Sequence, residues 1–205
     1  MLNLGDTMPN IKADSTIGPI ELFDYFGSNW GILFSHPKDF TPVCTTELGR
    51  LAQLAESFEK RGVKIVGLSV DTVQDHKEWT KDIEAYAKAP VKFPLLADPN
   101  GDIARSLGLL DKDSADTLTV RGVFIVSPNR KIRATICYPT SAGRNFDEIL
   151  RVVDSLQFTD ARPDTVTPVG WKSGDEVIVK PGCPSTADTK VLQVPSGKEY
   201  LRFTK

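Results

Sequence analysis

Cys44 is the residue of this chain best placed to do chemistry, and its neighbours explain why. In Thr41-Pro-Val-Cys44, Thr is a favoured N-cap and Pro the favoured first helical residue, which puts Val43 at N2 and Cys44 at N3. A sulfur in the first helical turn faces backbone N–H groups that have no carbonyl partner, and the positive end of the helix dipole. Both favour thiolate over thiol. Most free cysteines are small buried hydrophobes. Thr-Pro-x-Cys at a helix start, however, fills a core poorly and suits an ionised sulfur well, so Cys44 reads as a reactive cysteine.

The residues around it narrow the chemistry. A dithiol exchanger would carry a second cysteine three positions on, but that position holds Glu47, a carboxylate. A papain-type hydrolase needs a downstream His–Asn pair, and only His76 follows. A lone thiolate is suited instead to attacking an oxidant and becoming a sulfenic acid. His36 and His76 are too far apart in sequence for a helical metal pair, so neither a structural zinc site nor any cofactor is expected.

At these residues the chain resembles a known family. Pro37-x-x-x-Thr41-x-x-Cys44 is similar to the active-site signature of the peroxiredoxins, and Ser35–Leu48 resembles their 1-Cys subfamily. The likeness continues at Arg121, at Tyr138-Pro139 followed by Gly143–Arg151, at Thr167–Trp171 and at Pro195–Phe203. The resemblance implies that Cys44 is the peroxidatic nucleophile of a thiol-dependent peroxidase acting on hydrogen peroxide and organic hydroperoxides. It further implies that Thr41 hydrogen-bonds the attacked oxygen, Arg121 holds the thiolate and spreads charge, and Pro37 shields the sulfur. The N–H groups of Val43 and Cys44 would form an anion-receptive end, His36 would border the pocket, and Glu47 would orient Arg121.

Other residues have plainer readings. Arg144 precedes a helix and reads as a clamp on its start, while Cys137 alternates with apolar neighbours and reads as a core thiol. Cys183 lies in a Pro-Gly-Cys-Pro turn. The resolving cysteine of 2-Cys relatives would stand before Gly170-Trp171, where this chain has Pro168-Val169. The sulfenic acid is therefore expected to wait for an external thiol such as glutathione or thioredoxin. Some animal relatives carry a Gly-x-Ser-x-Gly element credited with phospholipase activity; here the stretch is Gly27-Ser-Asn-Trp-Gly31, so that activity is not expected.

The elements that must position these residues alternate. Trp30–Ser35 and Val63–Val70 are apolar runs typical of buried strands, and Leu48 to Phe58 recur at helical spacing, with Gly62 expected to close that helix. A charged helix over 73–87 is followed by a short strand over 93–97, a short helix over 102–107 and a hairpin of 121–127 with 131–138 turning at Pro128-Asn129. Asn145 is placed to cap a last helix over 146–156. The early βαβ units demand parallel pairing and the late hairpin antiparallel pairing. The fold class is therefore α/β, a thioredoxin-like mixed sheet flanked by helices. It is expected to span residues 1–162 with an N-terminal extension, followed by a proline-interrupted arm over 163–205 too small to bury a core alone. Its aromatic residues Trp171, Tyr200 and Phe203 suggest that the arm covers a second copy in a homodimer.

Composition removes whole classes of function. The 205 residues carry 25 Lys and Arg against 27 Asp and Glu, a net charge of −2 that offers no basic surplus for nucleic acid. No apolar run approaches the ~20 residues needed to cross a bilayer. The start lacks a basic n-region and an apolar h-region, and three cysteines with no close pairing point to a reducing, cytoplasmic compartment.

Overall fold

A computed structural model describes residues 1–111 and 118–205. The chain divides into two compact units, Met1–Phe146 and Asp147–Lys205. The sequence reading puts the division at 162/163; compactness instead groups the last long helix with the C-terminal strands.

The first unit is built on five strands, β3 (Trp30–Ser35), β4 (Val63–Ser69), β5 (Leu95–Ala97), β6 (Arg121–Val126) and β7 (Ile132–Tyr138). Their order is β5-β4-β3-β6-β7. β3 pairs parallel with β4 and β4 with β5, while β6 runs antiparallel to both β3 and β7. The inner strands β3 and β6 are buried at every residue. That is why they appear in sequence as continuous apolar runs and not as alternations.

Before the sheet come a small ribbon, β1 (Lys12–Ala13) with β2 (Ile20–Glu21), and helix α1 (Leu22–Phe26). Met8, Ile11, Ile20, Leu22 and Phe26 form one core with Leu33, Val66, Leu68, Phe124 and Val126, joined by Ala104 and Leu107. These last two come from α4 (Asp102–Ser106) and the residue after it. Helix α2 (Pro42–Glu59) packs on β4 and against α3 (Val73–Ala87), which packs on β5. Leu48, Leu51 and Phe58 of α2 and Trp79 and Ile83 of α3 are buried. At about 25 cal/mol per Å² of apolar surface, such burial is the main force holding the helices to the sheet.

Helix α2 ends one residue earlier than Gly62 alone would suggest. Lys60 is its C-cap, and Gly62, at φ 63°, donates its N–H to Glu59 O and turns the chain into β4.

The second unit contains α5 (Phe146–Ala161) after its first residue, and β8 (Thr165–Val166), β9 (Val177–Val179), β10 (Lys190–Val191) and β11 (Arg202–Thr204) in the order β10-β11-β9-β8. Trp171, expected to need a second copy for cover, is only 2% exposed in the chain itself. Its ring lies 5.2 Å from that of Phe158, and its carbonyl accepts from Arg151 Nη1. Tyr200 is exposed and Phe203 half-buried.

Candidate active site

The start of α2 follows the local rules at the backbone. Thr41 is the N-cap residue with extended φ/ψ, Pro42 is the first helical residue, and Thr45 N–H makes the first backbone bond, to Thr41 O at 3.0 Å. The N–H groups of Val43 and Cys44 fall before that first bond. The side chain of Thr41 does not cap, contrary to the sequence reading: its Oγ1 donates to Lys38 O at 2.8 Å. The hydroxyl oxygen keeps lone pairs that can accept from a ligand. Cys44 is fully buried, Pro37 is buried and Val43 half-buried.

Arg121 enters from the first residue of β6. Its Nη1 donates to Cys44 Sγ at 3.2 Å and to Glu47 Oε2 at 2.8 Å, while Nε and Nη2 both donate to Thr140 O. Glu47 follows Cys44 by three residues on α2, which puts both on one helix face. The carboxylate has a second cation. Arg144 Nε donates to Glu47 Oε1 at 2.9 Å and Arg144 Nη2 to Oε2 at 2.8 Å; the Arg144 backbone N–H also donates to Oε1, at 2.7 Å. Arg144 Nη1 donates to Gly122 O, and its guanidinium lies 5.5 Å from the ring centre of Phe34 and 5.4 Å from that of Phe146. Burial pushes the Glu47 carboxyl up, but Arg144 and then Arg121 outweigh it and hold the group below the usual carboxylate range.

The charge balance is informative. Among the described residues, the buried cluster of Arg121, Arg144 and Glu47 sums to one net positive charge. An unpaired buried charge is expensive. Cys44 Sγ lies 3.2 Å from Arg121 Nη1, so this guanidinium faces the position where a negative charge on sulfur would sit. Arg144, read from sequence as a helix clamp, is therefore the anchor of the carboxylate that positions Arg121. No local pattern signals this, since the contact spans 97 residues.

His36 is fully buried, but its bonds lead away from the sulfur. Its Nε2 lies 2.6 Å from Asp39 Oδ1, and Asp39 Oδ2 lies 2.6 Å from His76 Nδ1. His76 Nε2 lies 3.1 Å from Leu96 O. Burial lowers the His36 pKa, against the opposing pull of Asp39, so His36 stays neutral. Burial also works to lower His76, but Asp39 and the Leu96 carbonyl outweigh it and raise that histidine. Burial pushes Asp39 up, yet the two histidines hold it at about 2. Two histidines far apart in sequence thus meet across one carboxylate. Among the described residues only these three could together offer a cation its ligands. Both carboxylate oxygens and both His76 nitrogens already have partners, which leaves His36 Nδ1 as the ring nitrogen of the group without one.

The other thiols differ from Cys44. Cys137 is exposed, contrary to its reading as a core thiol. It lies on β7, the edge strand, where every residue after Ile132 is half-buried or exposed and neither face is covered as a core face would be. Burial raises the Cys137 pKa. Cys183 is part-exposed with Sγ 3.5 Å from Asp164 Oδ1; slight desolvation and that carboxylate push its pKa up. Both thiols are held away from the nucleophilic form.

Residues 4–135 match the AhpC/TSA family, and residues 155–192 match the C-terminal domain of 1-Cys peroxiredoxin. The chain therefore belongs to the peroxiredoxins, and within them to the 1-Cys branch. It is 52% identical to Peroxiredoxin-6 of Gallus gallus and 50% identical to that of Homo sapiens, in both cases over 99% of this chain and 97% of the relative. Among solved structures, a cysteine-to-serine mutant of the Peroxiredoxin 6 of Arenicola marina superposes with a TM-score of 0.94 at 46% identity, covering 100% of this chain and 98% of the other. A yeast mitochondrial 1-Cys peroxiredoxin, studied for thiol resolution via glutathione/thioredoxin systems, gives a TM-score of 0.89 at 43% identity, with 100% and 99% covered. The chain is a thiol-dependent peroxidase of the thioredoxin-like fold with a single peroxidatic cysteine.

Proposed function

We propose that Cys44 is the peroxidatic cysteine and that Arg121, held by Glu47 and Arg144, is its electrostatic partner. The observation that carries this is the 3.2 Å contact between Arg121 Nη1 and Cys44 Sγ inside a buried cluster whose described residues carry a net positive charge. The thiolate attacks one oxygen of a hydroperoxide and the O–O bond breaks. Sulfur loses two electrons and becomes a sulfenic acid, while the leaving alkoxide or hydroxide takes up a proton to give alcohol or water. Arg121 and the N–H groups of Val43 and Cys44 stabilise the charge that spreads over the oxygens. Thr41 Oγ1 accepts the peroxide O–H, and Pro37 keeps bulk water from the sulfur. His36 and Val43 line the pocket. Full burial of Cys44 favours hydrogen peroxide and small organic hydroperoxides.

An external thiol then attacks the oxidised sulfur, water leaves, and a second thiol releases Cys44 from the mixed disulfide. Glutathione or thioredoxin fits this role, in line with the yeast relative. The raised pKa values of Cys137 and Cys183 support an outside reductant over an internal one. The enzyme works in the cytoplasm as a homodimer with 163–205 as its dimerisation arm. The support is three free thiols, the open edge of β7, and exposed Val169, Leu192 and Tyr200. No helix among the described residues is long and apolar enough to cross a membrane.

Single-turnover stopped flow with hydrogen peroxide tests the assignment. Cys44→Ser should abolish the reaction, whereas retained turnover in that variant would refute it.

A further inference from the structure

The loop between β3 and α2 has to deliver Thr41, Pro42 and Cys44 at one angle, and it does so through a conformation that a side chain resists. Phe40 sits at φ 55°, in the left-handed region, although it is not a glycine. Such strain persists only where the surroundings over-determine it. The residue just before it is Asp39, which is bonded on every side. Its N–H donates to Asp71 Oδ2 at 2.9 Å, and its two carboxylate oxygens each hold one histidine at 2.6 Å. Asp71 in turn accepts from Ser69 Oγ at the end of β4.

The clamp also reaches the first turn of α2. The His36 ring packs 5.1 Å from that of Trp79, and Trp79 Nε1 donates to Thr45 Oγ1, one residue beyond Cys44. Phe40 packs 6.4 Å from the same Trp79 ring. The proton arrangement follows from the bonds. Asp39 is ionised and accepts twice, so His36 carries its proton on Nε2 and His76 one on Nδ1. His76 Nε2 faces the Leu96 carbonyl and must donate as well, so His76 is the charged member. His36 Nδ1, the nitrogen left without a proton, is buried without a hydrogen-bond partner. The titratable groups facing this pair are Asp39, Asp71 and each other.

We propose that Asp39 and His76 are positioning residues for Cys44: the buried His76–Asp39–His36 chain holds the left-handed turn at Phe40, and with it the start of α2, while fixing His36 in its Nε2-protonated form. The proposal rests on Cys44 being the nucleophile for its kinetic consequence, but not for its protonation pattern. The clamp ties the loop after β3 to α3 through His76, to the end of β4 through Asp71 and Ser69, and to β5 through Leu96, with Trp79 carrying it on to α2. Its geometry depends on His76 keeping both protons.

Two measurements on the full-length reduced protein test it. Imidazole nitrogen NMR near neutral pH should show one neutral histidine protonated on Nε2, His36, and one doubly protonated histidine, His76, assigned with His76→Gln. A His36 protonated on Nδ1, or two neutral histidines, would overturn the proposal whatever Cys44 does. Stopped flow with hydrogen peroxide should then show Asp39→Asn slowed on the order of tenfold to a hundredfold. His76→Gln, which keeps one N–H donor for Asp39 but cannot hold or lose a second proton, should react at neutrality at the reduced rate that the native enzyme reaches once His76 has lost its second proton. It should lack the decline that the native enzyme shows as pH rises through the His76 titration. If Asp39→Asn fails to fold, His76→Gln still decides the matter. An alkaline limb identical to the native one, or a folded Asp39→Asn of native rate, would overturn the positioning role. Cys44→Ser run alongside reports on the nucleophile alone, so the two failures are distinguishable.

Discussion

Glu47 and Cys44 stand one helical turn apart on α2 and share a single donor, Arg121 Nη1, at 2.8 Å and 3.2 Å. Nη1 carries two hydrogens, one for the carboxylate and one for the sulfur, so the position of Arg121 is fixed before any substrate arrives. Preorganised charge of this kind needs no rearrangement when the O–O bond breaks, which is where a donor acts most strongly on rate.

Glu47→Gln separates charge from geometry. Removing the carboxylate adds positive charge beside the sulfur, so alkylation of Cys44 at mildly acidic pH should hold steady or rise. Arg121 loses its anchor, so sulfenic acid formation should fall roughly tenfold to a hundredfold. Parallel iodoacetamide and peroxide kinetics check this; a fall in both would mean that Glu47 acts through the thiolate and not through Arg121.

Arg121→Ala removes the cation itself. Peroxide reduction should slow by about 2–4 kcal/mol of barrier. Alkylation near neutrality should slow too and recover as the pH is raised, because the thiolate has lost its buried counter-charge. An unchanged alkylation profile would remove Arg121 from the site.

Arg144→Met tests the anchor. Glu47 would keep Arg121 but lose both hydrogen bonds from the Arg144 guanidinium. Breaking one partner of a buried ion pair typically costs about 3–5 kcal/mol. Urea unfolding should show a loss of that order, and a loss below about 1 kcal/mol would show that the cluster is far less tightly coupled than its distances indicate.

Acid stability follows from the two depressed carboxyls. A group whose folded pKa lies below its unfolded value stabilises the fold above the unfolded pKa and loses that contribution as pH falls through the folded one. For Asp39 the window runs from about 4 down to about 2, and Glu47 acts in the same direction. Denaturant titrations should therefore show stability dropping steeply below about pH 4, with a shallower slope in Asp39→Asn. An equal slope would mean that the histidines do not hold Asp39 ionised.

Legibility in the sequence tracked the range of the interaction. Trp30–Ser35 and Val63–Ser69 are visible because burial of nearly every residue, the exposed Lys64 excepted, leaves mostly apolar runs, and Thr41-Pro42-Val43-Cys44 because helix starts obey local rules. The β1–β2 ribbon has two residues per strand, too few to show a period. Arg121 and Glu47 were reached through family likeness, whereas the Arg144–Glu47 and His76–Asp39 pairs span 97 and 37 residues and leave no periodic trace. Cys137 shows the limit of reading apolar neighbours on an edge strand, where Ile136 and Tyr138 are only half-buried and bring no core with them.

The central claim is that one sulfur, Cys44, takes one oxygen and then waits. Intact mass of the reduced protein after one equivalent of hydrogen peroxide, with no thiol present, tests it most directly. The native chain, Cys137→Ser and Cys183→Ser should each gain the mass of a single oxygen atom and lose it again when glutathione or reduced thioredoxin is added; Cys44→Ser should gain nothing. A stoichiometric Cys44–Cys183 disulfide, or an oxygen taken up by Cys44→Ser, would contradict the account.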